Sequence, residues 1–114
     1  MHELSIAQSI VEMADEVAAK QGARVLAVNL KLGAMSSVVE EALQFSFEMV
    51  AAGTAVEGAA LAVEHIPLVV FCPQCAAEST LSTPNLACPR CGELVTRVVR
   101  GKELEVVSVE LTDD

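Results

Sequence analysis

The chain has 114 residues, the size of one small domain, with sixteen acids against seven Lys and Arg and a net charge of −9. That balance opposes binding to a phosphate backbone, and three Phe with no Trp or Tyr leave few rings to stack on bases, so composition weighs against nucleic acid as a partner and none is expected. No apolar run is long enough to span a membrane, and Glu3, Glu12, Asp15 and Glu16 stand where an export signal would carry a basic head, so a cytoplasmic protein without a membrane partner is expected.

Residues 3–20 read as an amphipathic helix. Ile6, Ile10, Met13 and Val17 recur at helical spacing, and Ala7, Val11, Ala14 and Ala18 widen the stripe. Gly22 stands where a helix C-cap is expected. Residues 24–32 switch to period two, with Leu26, Val28, Leu30 and Leu32 on one face of a half-buried strand that ends at Gly33. Ser37-Val38-Val39-Glu40 matches a capping box, so a second helix is expected to begin at about Val38. Val39, Leu43, Phe47 and Val50 form its buried stripe, with Ala42 and Phe45 alongside. Residues 60–66 form a second strand, interrupted by Pro67, and 103–111 a last one, where Val107, Val109 and Leu111 alternate with Ser108 and Glu110.

Between those two strands lies a stretch of different composition, rich in Cys, Pro, Ser, Thr and Asn, with short apolar runs at 68–71 and 94–99. It holds all four cysteines, as Cys72-Pro73-Gln74-Cys75 and Cys88-Pro89-Arg90-Cys91, with twelve residues between the pairs. Two C-x-x-C turns facing each other supply the four thiolates of a tetrahedral zinc site. Pro73 and Pro89 fix φ after the first ligand of each pair, so that the amides that follow can point back at sulfur. Gly92 can take the positive φ that closes the second turn, and Ala76 holds the matching place in the first. The alternatives are two disulfides, which need an oxidising compartment, or a redox dithiol, which would be a single pair opening a long helix. Four ligands leave no open position, so the zinc would hold structure and not activate water.

The fold class expected is α+β: two helices packed on a small antiparallel sheet, with an inserted four-Cys zinc-ribbon lobe. The lobes would be 1–66 with 101–114, and 67–100. No Gly-rich phosphate loop and no Ser/His/Asp grouping is present, so no enzymatic activity is expected.

Met1-His2-Glu3 can be read in two ways. It is a polar entry to the first helix, with Glu3 complementing the positive end of the dipole. It is also a set of donors: a free α-amine, the next backbone nitrogen and the His2 imidazole can close adjacent chelate rings around one ion. Glu3 could then add its backbone nitrogen or carboxylate. Such an array of nitrogens suits Ni²⁺ or Cu²⁺. His65, beside Glu64 on the second strand, has no second ligand candidate near it and is read as a strand histidine.

Met1-His2-Glu3-Leu4-Ser5-Ile6 at the start, Leu32-Gly33, a helix containing Phe45-Ser46-Phe47-Glu48, and then the two cysteine pairs follow one another in an order that resembles the HypA/HybF family. These are nickel metallochaperones of NiFe-hydrogenase maturation, and the similarity covers essentially the whole chain. The resemblance implies that His2 is the essential nickel ligand, assisted by the Met1 amine and by the backbone and side chain of Glu3. It implies that Cys72, Cys75, Cys88 and Cys91 bind zinc in a separate lobe. It further implies a nickel-binding GTPase and the hydrogenase large subunit as partners, with urease maturation proteins for some members. Family members often carry acidic residues around a proline after the first strand. Here the stretch is Val38-Val39-Glu40-Glu41 without a proline, and Glu40 is read as closing the capping box. The competing readings are a zinc-ribbon interaction module that binds nucleic acid or protein and is indifferent to nickel, and an enzyme with an open metal site.

Overall fold

The computed structural model describes residues 3–81, 86–95 and 97–112. In order along the chain come α1 (Glu3–Gln21), β1 (Val25–Gly33), α2 (Glu40–Ala51), β2 (Ala60–Ile66), β3 (Leu68–Cys72), β4 (Ala77–Leu81), β5 (Arg97–Arg100) and β6 (Leu104–Leu111). The strands form two three-stranded sheets, ordered β2-β1-β6 and β4-β3-β5. The chain divides into two compact units, one of residues Met1–Leu30, Ser37–Val63 and Val106–Asp114, the other of Lys31–Ser36 and Glu64–Glu105.

The first unit is built on the pairing of α1 with α2 over the sheet. Its core contains Ala7, Ile10, Val11, Ala14 and Ala18 from α1, Val25, Val28 and Leu30 from β1, and Leu43, Phe47 and Ala51 from α2. The buried face of α1 is therefore turned towards its alanines, and Met13 and Val17 are more than one-third exposed. Small side chains let the helix backbone approach its neighbours closely, which fixes the orientation more strongly than the larger residues do. Gly22, at φ 63, ends α1 in the left-handed conformation that a C-cap requires.

β1 and β6 run antiparallel: Thr112 N donates to Arg24 O at one end of the pair and Gly33 N to Glu103 O at the other. Val25 N donates to Ala55 O and Ala34 N to Ile66 O, so β2 runs in the same sense as β1, with α2 as the crossover between them. The expected alternation fails at two places. Leu26 in β1 and Val107 in β6 are both 55 % exposed, while Val25 is buried and Val106 packs against the core.

Two expectations for α2 are corrected. The helix begins at Glu40 with Val39 as N-cap, a residue whose side chain makes no capping hydrogen bond. Phe45 does not join the buried stripe: it is 67 % exposed, and Val39 is 56 % exposed. Leu43 and Phe47 satisfy the inward face, and Phe45 lies about 200° around the helix from Leu43 at 100° per residue.

In the second unit β3 pairs antiparallel with β4, from Leu68↔Leu81 to Cys72↔Ala77, and antiparallel with β5, where the register shifts between Val69 and Val70. Leu68, Val70, Cys72, Leu81, Cys88 and Val95 form its small core. Glycine is required at Gly33, where a Cβ would lie 2.2 Å from Gly101 O. Gly101 itself adopts φ 121, and its carbonyl accepts from Met35 N.

Candidate metal centre

β3 and β4 are joined by a tight turn, Pro73-Gln74-Cys75-Ala76, that closes directly on the Cys72↔Ala77 pair. The first C-x-x-C is thus the tip of a hairpin whose strands hold Cys72 in place. Ala76 takes φ 52, the left-handed conformation expected at this position and one disfavoured for a residue with a Cβ. The second C-x-x-C repeats the device. An isolated antiparallel bridge joins Ala87 and Leu94, Val95 N donates to Leu86 O, and Cys88 N donates to Glu93 O. Gly92 N donates to Cys88 O, with Gly92 at φ 79 closing the turn as its sequence position predicts.

The two tips bring all four Sγ atoms within 4.8 Å of one another. Cys72 Sγ lies 3.6 Å from Cys91 Sγ, and Cys75 Sγ lies 3.9 Å from Cys88 Sγ, each short contact running between the two turns. A tetrahedron with Zn–S bonds of about 2.3 Å has edges of about 3.8 Å. The two measured edges bracket that value, and both are far beyond the S–S bond length of about 2.05 Å. All four cysteines are free thiols. The donor set and its spacing fit a closed, sulfur-only site for a tetrahedral metal ion.

The thiols are not equivalent. The backbone N–H groups of Arg90 and Cys91 stabilise the Cys88 thiolate and draw its pKa down to about 7. Cys75 is pushed up to about 12, first by its contact with Cys91 and then by desolvation. Amides aimed at a ligand sulfur favour the thiolate that a metal ion needs, and the second turn supplies them best.

Among the described residues these cysteines are the one group of three or more His, Cys, Asp or Glu side chains placed to hold a metal ion. His65 is exposed on β2 and belongs to no such group. Met1 and His2 lie outside the described residues. Glu3 opens α1 with only 6 % of its surface exposed, and its Oε2 accepts the Val39 N–H at 2.9 Å. The carboxylate therefore takes the place of the missing cap at the start of α2, 36 residues along the chain. Nothing local in the sequence announces that contact, because it depends on how the two helices pack.

A family model described as "Hydrogenase/urease nickel incorporation, metallochaperone, hypA" matches residues 1–111. The chain is 51 % identical over 112 residues to the hydrogenase maturation factor HypA of Chloroflexus aurantiacus, covering 96 % of this chain and 98 % of that one. It is 48 % identical over 118 residues to the corresponding factor of a Roseiflexus species, covering 100 % and 94 %. Among solved structures, the fold is similar to a solution structure of a HypA protein, with a TM-score of 0.72, 22 % identity and coverage of 100 % and 98 %. It is also similar to the solution structure of the Ni metallochaperone HypA of Helicobacter pylori, with a TM-score of 0.63, 22 % identity and full coverage of both chains.

Proposed function

The chain belongs to the HypA family, the metallochaperones of hydrogenase and urease nickel incorporation and not a family of enzymes, and on that premise we propose a division of metals between its two ends. Ni²⁺ is the cargo, taken up at the N-terminus by the Met1 amine, the His2 imidazole and Glu3. Zn²⁺ is the resident ion, held by Cys72, Cys75, Cys88 and Cys91. The observation that carries this reading is the family match over residues 1–111, which takes in both Met1-His2-Glu3 and the two cysteine pairs.

The donor chemistry agrees with this division. Four thiolates with no open position suit an ion that stays. An amine, an amide nitrogen and an imidazole suit Ni²⁺, and a small terminal chelate can give its ion up to a partner. For Glu3 we assign the backbone nitrogen as the donor, with the carboxylate in support, because one carboxylate oxygen already accepts the Val39 N–H. The amine and imidazole must shed protons to bind, so nickel affinity falls on mild acidification. The partners that follow are a nickel-binding GTPase, the hydrogenase large subunit and, for a urease role, urease maturation proteins, all in the cytoplasm. Among the described residues no helix is long and apolar enough to cross a membrane.

The test is metal analysis of untagged protein with and without added Ni²⁺. His2→Ala, or extra residues ahead of Met1, should remove stoichiometric nickel and leave about one zinc per chain. Undiminished nickel binding by either variant would end the N-terminal assignment. Loss of the resident zinc from a Cys88→Ser variant, with no loss from His2→Ala, checks the other half.

A further inference from the structure

The outward face of α2 supplies no residue to either of the metal sites proposed above. One of only three aromatic residues in the chain, Phe45, stands there 67 % exposed, with Met49 one turn further on at 53 %. Glu41 and Glu48 flank them, both exposed, and α2 contains three Glu and no Lys or Arg. Beyond Glu48 the surface falls into an open groove of about 590 Å³ between α2 and the start of β2. Its lining is largely small and apolar, with Ala51, Ala52, Ala59 and Ala60 among it, and Glu48, Glu57 and Gln44 at its polar points.

Charge narrows what can cover this face. The unit that contains α2 carries Lys20 and Arg24 against eleven acids, a net −9, while the other unit has five bases against five acids. The whole formal charge of the protein therefore sits on the helical unit. A second copy of that unit would bring like charge against like, and an anionic membrane would be repelled in the same way. A basic partner is attracted.

We propose that the outer face of α2 and the adjoining groove dock a basic segment of a partner protein, with an arginine or lysine seated in the groove and an apolar residue on Phe45 and Met49. The alanine walls accept the aliphatic stem of such a side chain, and Glu48 and Glu57 receive its charged head. An exposed aromatic beside an acid-lined pocket has the make-up of a binding hot spot. The inference uses neither metal site and stands apart from the nickel assignment.

The experiment titrates zinc-loaded, full-length protein with a labelled amphipathic peptide of leucine and arginine, and with the same peptide carrying glutamate for arginine. The arginine peptide should bind, the glutamate peptide should not, and Phe45→Ala or Glu48→Lys should each weaken binding about tenfold. Glu12→Lys, which makes the same charge change on an exposed position of α1, should weaken it far less. Phe45 is largely in solvent, so its variant should keep its zinc content and helical signal. Equal weakening by Glu12→Lys would reduce the effect to general acidity and overturn the proposal. So would failure of the arginine peptide to bind, binding by Phe45→Ala as tight as by wild type, or sedimentation showing a dimer that Phe45→Ala dissociates, which would make a second copy the occupant.

Discussion

Ala76 occupies the left-handed conformation, at φ 52, that glycine fills at the matching place in the second cysteine turn. A residue with a Cβ pays about 1–2 kcal/mol there, and glycine costs about 0.5–1 kcal/mol in backbone entropy. Ala76→Gly should therefore stabilise the zinc-loaded protein by about 0.5–1 kcal/mol, read as a higher midpoint in thermal unfolding; a lower midpoint would mean that the Ala76 methyl packs usefully. Cys88 offers a second measurement at this scale. Its pKa is drawn down to about 7, so it ionises readily, whereas Cys75, pushed up to about 12, keeps its proton until the metal displaces it. Zinc binding should release protons, and fewer as pH rises through 7, because Cys88 then arrives already ionised. Calorimetry in buffers of different ionisation heat counts them, and a proton count unchanged between pH 6 and 8 would contradict the assignment.

For the elements, the main finding is that α2 is capped from a distance. Val39 provides no cap of its own, and the first turn contains Glu40 and Glu41. The Glu3 carboxylate accepts the Val39 N–H and adds negative charge at the positive end of the helix. Glu3→Ala removes both contributions and should cost about 1 kcal/mol, while Glu3→Gln keeps an acceptor and should cost less. Chemical denaturation of the nickel-free protein checks this order, and equal stability of both variants with wild type would show that the contact carries no energy. The same carboxylate opens the helix that follows Met1 and His2, so the end that we assign to nickel is linked to the start of α2.

At the scale of the molecule the two units differ in what holds them. Among the described residues the helical unit has thirteen buried core residues, drawn from α1, β1, α2 and β2 and the loop before β2. The other has six among the described residues, and two of those, Cys72 and Cys88, belong to the four-cysteine cluster. A core so small needs a staple, and a structural metal is one. Chelation of the zinc should therefore abolish amide protection in β3, β4 and β5 while the helical circular dichroism largely persists. Hydrogen exchange that stays protected in these strands without metal would show that the core suffices alone.

Much of this was legible in the chain itself. The period-3.6 run of residues 3–20, the strand at 60–66 and the doubled C-x-x-C are local patterns, each fixed by residues a few positions apart. The cysteine spacing determined both turns, and with them the chemistry of the cluster. β4 was not legible: Ala77-Glu78-Ser79-Thr80-Leu81 is weakly apolar and becomes a strand because it pairs with β3. The start of α2 was misread for a related reason. The local capping box competed with an acceptor 36 residues away, and helix packing brought that acceptor within reach. Periodicity identified α2 as amphipathic, and the angle of about 200° between Phe45 and Phe47 lets one of the pair face inward; the burial of Leu43 and Phe47 in the fold set which one. Local chemistry thus wrote the four-cysteine cluster into the sequence, whereas caps, edge strands and exposed faces were settled by which surfaces the folded chain had left to cover.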